Sequence, residues 1–285
     1  MDVNESMTPP PPEPVTERDA VRELRACPPF DARRLSRQLA LDTALWWCLR
    51  LTLLMVMVYA LAGGAGHGHP ALAVFFLIVA GGWLAHSYAS ARVAQQLPQI
   101  TELIEGGGTQ AESLIATALR RAPLQRSVRL LLYHRLAMLR HRQRNYEESA
   151  AIAHTMLRYP LGPVTEIRPH LLLILGESRL LARDFWQTWN ALTMLYRCRL
   201  NLIERLQVLT LQTRYEVATG QDAAALRDLD RKIALCELMP APQCGAMHAI
   251  LAVASRRRHD TALADWLRRR ADLICLPEQL ADIGV

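Results

Sequence analysis

Histidine, cysteine and glycine are the residue types in this 285-residue chain that could bind a metal, supply a thiolate or cradle a phosphate. Their spacing fits none of those chemistries. His67 and His69 share a glycine turn and His86 stands well beyond, with no carboxylate or thiolate nearby in sequence to complete and orient a ligand set. Cys27, Cys48, Cys198, Cys236, Cys244 and Cys275 match neither CxxC zinc pairs nor a compact secreted framework, and most read as small buried hydrophobes of a reducing compartment. Gly106-Gly107-Gly108 lacks the strand and lysine of a P-loop. Thr109, followed three residues later by Glu112, reads instead as a capping box that opens a helix. GxSxG, Walker A, dinucleotide and HExxH patterns do not occur. The expectation is a protein that is not an enzyme and holds no cofactor or metal.

The net charge is +6, and all but one of the 33 basic residues are arginine, the exception being Lys232. The arginines alternate with acids along the chain apart from short clusters at 256–258 and 268–270, and no nucleic-acid motif accompanies them, so no nucleic-acid partner is expected. The arginine and alanine bias points to a bacterial source.

The elements that must position any site fall into three parts. Residues 1–42 form a Pro-rich tail and juxtamembrane segment. The part up to about residue 30 carries Pro9-Pro10-Pro11-Pro12 and too little apolar content to fold, so it is expected to be disordered. Residues 51–91 contain no Asp, Glu, Lys or Arg. As helix this stretch would extend roughly 60 Å, twice the ~30 Å hydrocarbon layer, and the Gly63–Pro70 segment interrupts it, which predicts a two-span transmembrane hairpin over 43–91. Trp46, Trp47, Arg50 and Arg92 are expected at the membrane interface. Arginines flank the two spans and the connecting loop has no formal charge, so both termini are placed in the cytosol of an integral membrane protein.

From residue 92 to 278 the chain reads as helix throughout, with 279–285 as a short tail. Gly107, Asn145, Asp184, Asp222 and Asp260 punctuate it at steps of 38, 39, 38 and 38 residues, and Pro123, Pro160, Pro240 and Pro277 recur in phase with one member absent near Arg199. Such a period describes pairs of amphipathic helices that bury their faces only by stacking. Val128, Leu131, Leu132, Leu136 and Leu139 supply one apolar face of a pair, and Tyr146, Ala150, Ala153 and Leu157 the facing one. Trp186 and Trp189 are expected in the core.

Asn145-Tyr146-Glu147-Glu148-Ser149-Ala150 followed by Pro160 resembles the second half of a tetratricopeptide (TPR) repeat, as does 106–123 with Ala111, Ile115, Ala118 and Leu119. Leu175-Gly176 and Leu251-Ala252 resemble the small-residue pair of that family's first helix. The step exceeds the family's period of about 34, which also admits a related α-solenoid with longer helix pairs. The resemblance implies an all-α protein in which a membrane hairpin precedes a TPR-like right-handed α-solenoid of about five helix pairs. It also implies a protein or peptide ligand in a groove, for which the candidate residues are His134, Met138, His141, Arg142, His170, Glu177, Thr213, Glu216, Arg256 and Arg257. Two functions follow: a membrane-anchored interaction scaffold, or a structural subunit of a larger membrane complex assembled through hairpin glycines Gly63, Gly64, Gly81 and Gly82.

Overall fold

The computed structural model describes residues 30–62, 70–106, 109–120 and 125–276, and at 46, 56–57, 59–62, 70–73, 75–77, 105 and 109 the backbone alone. The Pro-rich tail, the His67 and His69 turn, Pro123 and the segment from 277 onward lie outside it. Two long helices come first, α1 (Ala32–Ala62) and α2 (Pro70–Ala94). Five pairs follow: α3 (Leu97–Glu105) with α4 (Thr109–Arg120), α5 (Arg126–Arg142) with α6 (Tyr146–Leu157), and α7 (Arg168–Leu181) with α8 (Phe185–Leu195). Then α9 (Leu202–Ala218) pairs with the split helix α10 (Asp222–Ala225) and α11 (Leu229–Cys236), and α12 (Ala241–Arg257) with α13 (Thr261–Ile274). A 3-10 segment, Gly162–Ile167, leads into α7. Among the described residues no strand forms.

The punctuation residues act through one recurring turn. The side chains of Asn145, Asp184 and Asp260 accept from the backbone N–H groups of Glu148, Gln187 and Leu263, which are otherwise orphan donors of a new helix. Before each cap a residue adopts the left-handed conformation, Arg144 and Arg183 at φ 59° and His259 at φ 64°. Each cap N–H then reaches back to the carbonyl of Arg140, Arg179 or Ser255, closing a Schellman turn on the preceding helix. In the fourth pair Gly220 (φ 76°) takes the left-handed position and Gln221 bonds back to Glu216, so Asp222 is the first residue of α10 and not a cap. That second helix breaks again at Asp228, φ 53°. Where the proline series lacks a member, a capping box between Asn201 and Glu204 starts α9 instead.

First helices form one layer, with α3, α5, α7, α9 and α12 each touching the next, and the second helices pack behind them. Gly176 is where that layer comes closest. A Cβ there would lie 2.7 Å from Leu211 Cδ2 and 3.5 Å from Ala191 Cβ, so any larger residue would have to displace the buried Leu211 side chain where α7 lies between α8 and α9. Ala111, Ile115, Ala118, Val128, Leu132, Leu136, Leu139, Ala150 and Ala153 are buried as the pattern requires. Trp186 departs from it: it is 72% exposed, and Trp189 stacks on Tyr215 at 5.7 Å while remaining partly open. Both project from the outer side of α8 because Thr188, Ala191, Leu192 and Leu195 take its buried face.

Helix α1 starts eleven residues before the hairpin expected from residue 43. Its first turns belong to the array: Leu35 and Leu39 are fully buried, Asp42 pairs with Arg129, and Thr43 accepts from Arg126. Helix α2 returns to the same place, where Ser90 accepts from the Gln125 N–H at 2.9 Å and Ser87 from Gln125 Nε2 at 3.2 Å. It stops at Ala94, and α3 begins afresh with Pro98 in its first turn. Among the described residues no helix is long and apolar enough to cross a membrane, and the described apolar side chains of α1 and α2 are interrupted at 56–57, 59–62, 70–73 and 75–77. The two helices nonetheless carry much exposed apolar surface, including Leu51, Leu54 and Met55 of α1 and Val74, Ile78 and Leu84 of α2.

Candidate functional site

The array presents a groove of about 460 Å³ across four first helices. Met138, His141 and Arg142 come from α5, His170, Leu173, Ile174 and Glu177 from α7, Gln207, Thr210 and Arg214 from α9, and Pro242, Gln243 and Ala246 from α12. The volume lies in the range of ligand pockets, with apolar side chains between a few polar ones. Each helix contributes residues one or two turns apart, as the 3.6-residue period demands of a single face.

The lining sits at the helix end on the first of these helices and at the helix start on the last. On α5 it occupies the last turn, on α7 and α9 the middle, and on α12 the first two turns. The groove therefore crosses the layer diagonally.

His141 is the best-anchored polar group. Its Nδ1 lies 3.0 Å from Ser178 Oγ and its Nε2 3.4 Å from Glu177 Oε2, while the ring meets the edge of Tyr146 at 5.4 Å. Burial pushes its pKa below the usual histidine value, Glu177 opposes that shift, and Arg214 and Arg142 reinforce it. The imidazole is therefore neutral near pH 7 and Glu177 remains a hydrogen-bond acceptor beside it. Arg142 donates to the Ile104 carbonyl at 2.9 Å. His170 stands 3.7 Å from Glu204, the same carboxylate that caps α9. Gln207 Oε1 is buried without a hydrogen-bond partner, an acceptor that a ligand N–H would satisfy. Ser178, whose hydroxyl meets His141, is fully buried and does not line the groove.

Five of the ten expected groove residues meet here: Met138, His141, Arg142, His170 and Glu177. The others go elsewhere. His134 is buried, its ring edge-on to His170 at 6.1 Å and both its nitrogens without hydrogen-bond partners. Thr213 is fully buried with its hydroxyl donating to the Leu209 carbonyl, and buried Glu216 accepts from Gln212 at 2.7 Å with Lys232 at 3.7 Å. Arg256 pairs with Asp265 and Arg257 donates to the Val217 carbonyl, both beside a separate recess of about 260 Å³ at the far end of α12. Gln207, Thr210, Arg214 and Gln243 were not expected. On α9 the expected Thr213 and Glu216 lie on the buried side of the helix, and on α12 the lining moves to the first two turns, away from Arg256 and Arg257.

No family model, no characterised protein and no solved structure matches this chain. The geometry therefore carries the functional argument alone.

Of the expected interface residues, Trp47, Arg50 and Arg92 are exposed, and Arg92 donates to the Tyr88 hydroxyl at 2.7 Å with its guanidinium 4.7 Å from that ring. The side chain of Trp46 lies outside the described residues. Cys236, Cys244 and Cys275 are buried, Cys198 is half-buried and Cys48 exposed. Burial pushes the Cys236 thiol up to about 12, which makes it inert. Among the described residues no cluster of three or more His, Cys, Asp or Glu could hold a metal ion.

Proposed function

We propose that the protein is a non-enzymatic, TPR-like interaction scaffold, held at the cytosolic face of a bacterial membrane by α1 and α2, whose groove takes a protein or peptide segment. The groove carries the reading. Four consecutive first helices line it, apolar side chains alternate there with Glu177, Arg142 and Arg214, and the unsatisfied Gln207 acceptor would take a backbone N–H of the bound segment. With His141 neutral, two arginines against the Glu177 carboxylate favour a segment bearing an acidic side chain.

Membrane attachment is supported by the exposed apolar residues of α1 and α2, among them Met55 at 68% and Ile78 at 69%, and by the uncharged sequence of 51–91. At 31 and 25 residues the helices extend roughly 46 and 37 Å. Tethering would raise the effective concentration of a bound partner near the lipid.

The test is co-purification from detergent-solubilised native membranes after in-cell cross-linking. Partners should be lost from Glu177→Lys with Gln207→Leu and retained by Trp186→Ser, which alters the outer side of α8. An unchanged partner set in the groove variant refutes the reading. Gly81 and Gly82, whose added Cβ atoms would meet nothing within 4 Å, favour a second reading in which an open small-residue face of α2 packs into a membrane complex. There, partners should be lost on Gly81→Leu instead.

A further inference from the structure

A second cavity, about 550 Å³, opens at the root of the long helices. Its walls are Leu45 and Leu49 of α1 with Ile78, Val79 and Trp83 of α2, and its floor is the start of α5. The walls are apolar and continuous with the exposed surface of the two helices. The floor is cationic. Arg129 is paired with Asp42, but Arg126 donates only to neutral oxygens, those of Thr43 and the Pro160 carbonyl, and its Nε is buried without a hydrogen-bond partner. His86 Nδ1, at the same cavity, is also buried and unpartnered. The N-cap residue Gln125 does not cap α5, a 17-residue helix, with its own side chain, so the positive end of the helix dipole adds to the floor. Greasy walls over a floor of unsatisfied polar groups match an amphiphile whose anionic head supplies acceptors and whose chain fills the slot.

We propose that this cavity binds one anionic phospholipid, its phosphate at Arg126 and the α5 N-terminus and an acyl chain between α1 and α2. The inference rests on the membrane reading, since the lipid would be drawn from the layer that surrounds the helices. The bound lipid would mark the depth of the array, with Gln125 and Arg126 level with the headgroups and Leu45 and Ile78 in hydrocarbon.

Native mass spectrometry of the full chain, released from detergent with added dioleoyl phosphatidylglycerol or dioleoyl phosphatidylcholine, tests it. One phosphatidylglycerol should be retained, and phosphatidylcholine about tenfold less, because its phosphate carries a choline cation that cancels the head's net charge and is repelled by the cationic floor. Arg126→Gln should weaken phosphatidylglycerol by about the same factor. Because Arg126 also ties α1 to the array, Gly82→Leu is the companion variant: it fills the slot from a position with free space around its Cβ and should abolish retention of either lipid. Equal retention of the two lipids, or retention by Gly82→Leu, overturns the proposal. Flotation of the full chain with vesicles of phosphatidylcholine alone separates the two ideas. A chain that floats but fails the lipid test keeps the anchor and loses the site, whereas a chain that does not float refutes both.

Discussion

Arg140 is the side chain whose removal should harm this fold most. It is 1% exposed and reaches three elements: Nη2 donates to Glu112 Oε1 on α4 at 3.0 Å, Nη1 to Gln143 at 2.6 Å, and Nε stands 3.3 Å from Glu148 Oε1 on α6. The last approach lacks hydrogen-bond geometry and acts by charge alone. Gln143 closes the ring by donating to Glu112 Oε2 at 3.1 Å, and Glu148 also accepts from the N–H of Phe30, where the chain enters α1. Arg140→Met would leave two carboxylates buried without their cation. Breaking a buried ion pair from one side costs about 3–5 kcal/mol, a large share of the 5–15 kcal/mol that holds an average domain together. At roughly 2–4 °C per kcal/mol for a domain of this size, the melting temperature should fall by about 6–20 °C, read by circular dichroism at 222 nm. Adding Glu112→Leu to Arg140→Met should restore part of that loss, because it removes one stranded carboxylate. A single-variant cost below about 1 kcal/mol, or strict additivity in the double variant, would refute the electrostatic account.

Three further outcomes are expected. His134 has its pKa lowered from 6.5 to about 3, by burial first and then by Arg135 and His170. The unfolded chain therefore binds the extra proton between these values, and stability is complete above pH 6.5 and lost as pH falls, by up to about 1.4 kcal/mol per unit. His134→Leu should flatten a pH series of melting temperatures between 6.5 and 4, and an unchanged slope counts against the buried neutral imidazole. Gly176→Ala should cost about 1–3 kcal/mol by overpacking Leu211, while Gly81→Ala, with open space around it, should leave thermal stability unchanged or slightly improved. Asn145→Ala, Asp184→Ala and Asp260→Ala should each cost about 1 kcal/mol in the same assay, whereas Asp222→Ala, which removes no cap, should cost less.

What the sequence disclosed was the chemistry that acts over a few residues. Asn145, Asp184 and Asp260 are legible as helix starts because a short polar side chain satisfies an N–H two or three positions on, whatever the rest of the molecule does. The same locality explains the error at Asp222: Gly220 relieves the left-handed position earlier, and the marker slips into the helix. Arg144, Arg183 and His259 carry no such signal, since nothing local forecasts a large side chain at positive φ. Glu112 shows the limit most clearly. Three residues after Thr109 it has the spacing of a capping box, and its carboxylate also meets Arg140 and Gln143 from across the next turn. Local pattern gives no sign of a buried cation that arrives 28 residues later.

The groove and the helix root obey the same division. On α5 and α7 the lining coincides with the positions that a fixed repeat marks, so His141, Arg142 and Glu177 are readable; on α12 it has slid towards the helix start, because stacking geometry and not sequence period sets the crossing. Leu35 and Leu39 sit four apart in a segment read as tail, a single helical stripe too short to announce a core. That stripe has a mechanical consequence. It seats α1 against the array through Leu35, Leu39, Phe30 and Asp42, and Arg126 ties the next turn at Thr43, so the helix that carries the apolar surface is continuous with one buried in the scaffold. A force or tilt applied to the distal half of α1 would be delivered to the start of α5, a little over three turns from Met138, where the groove begins on that helix. Coupling between membrane contact and partner binding then needs no flexible linker, and a four-glycine insertion after Thr43 that left partner binding fully indifferent to membrane attachment, while the uninterrupted chain was not, would be its signature.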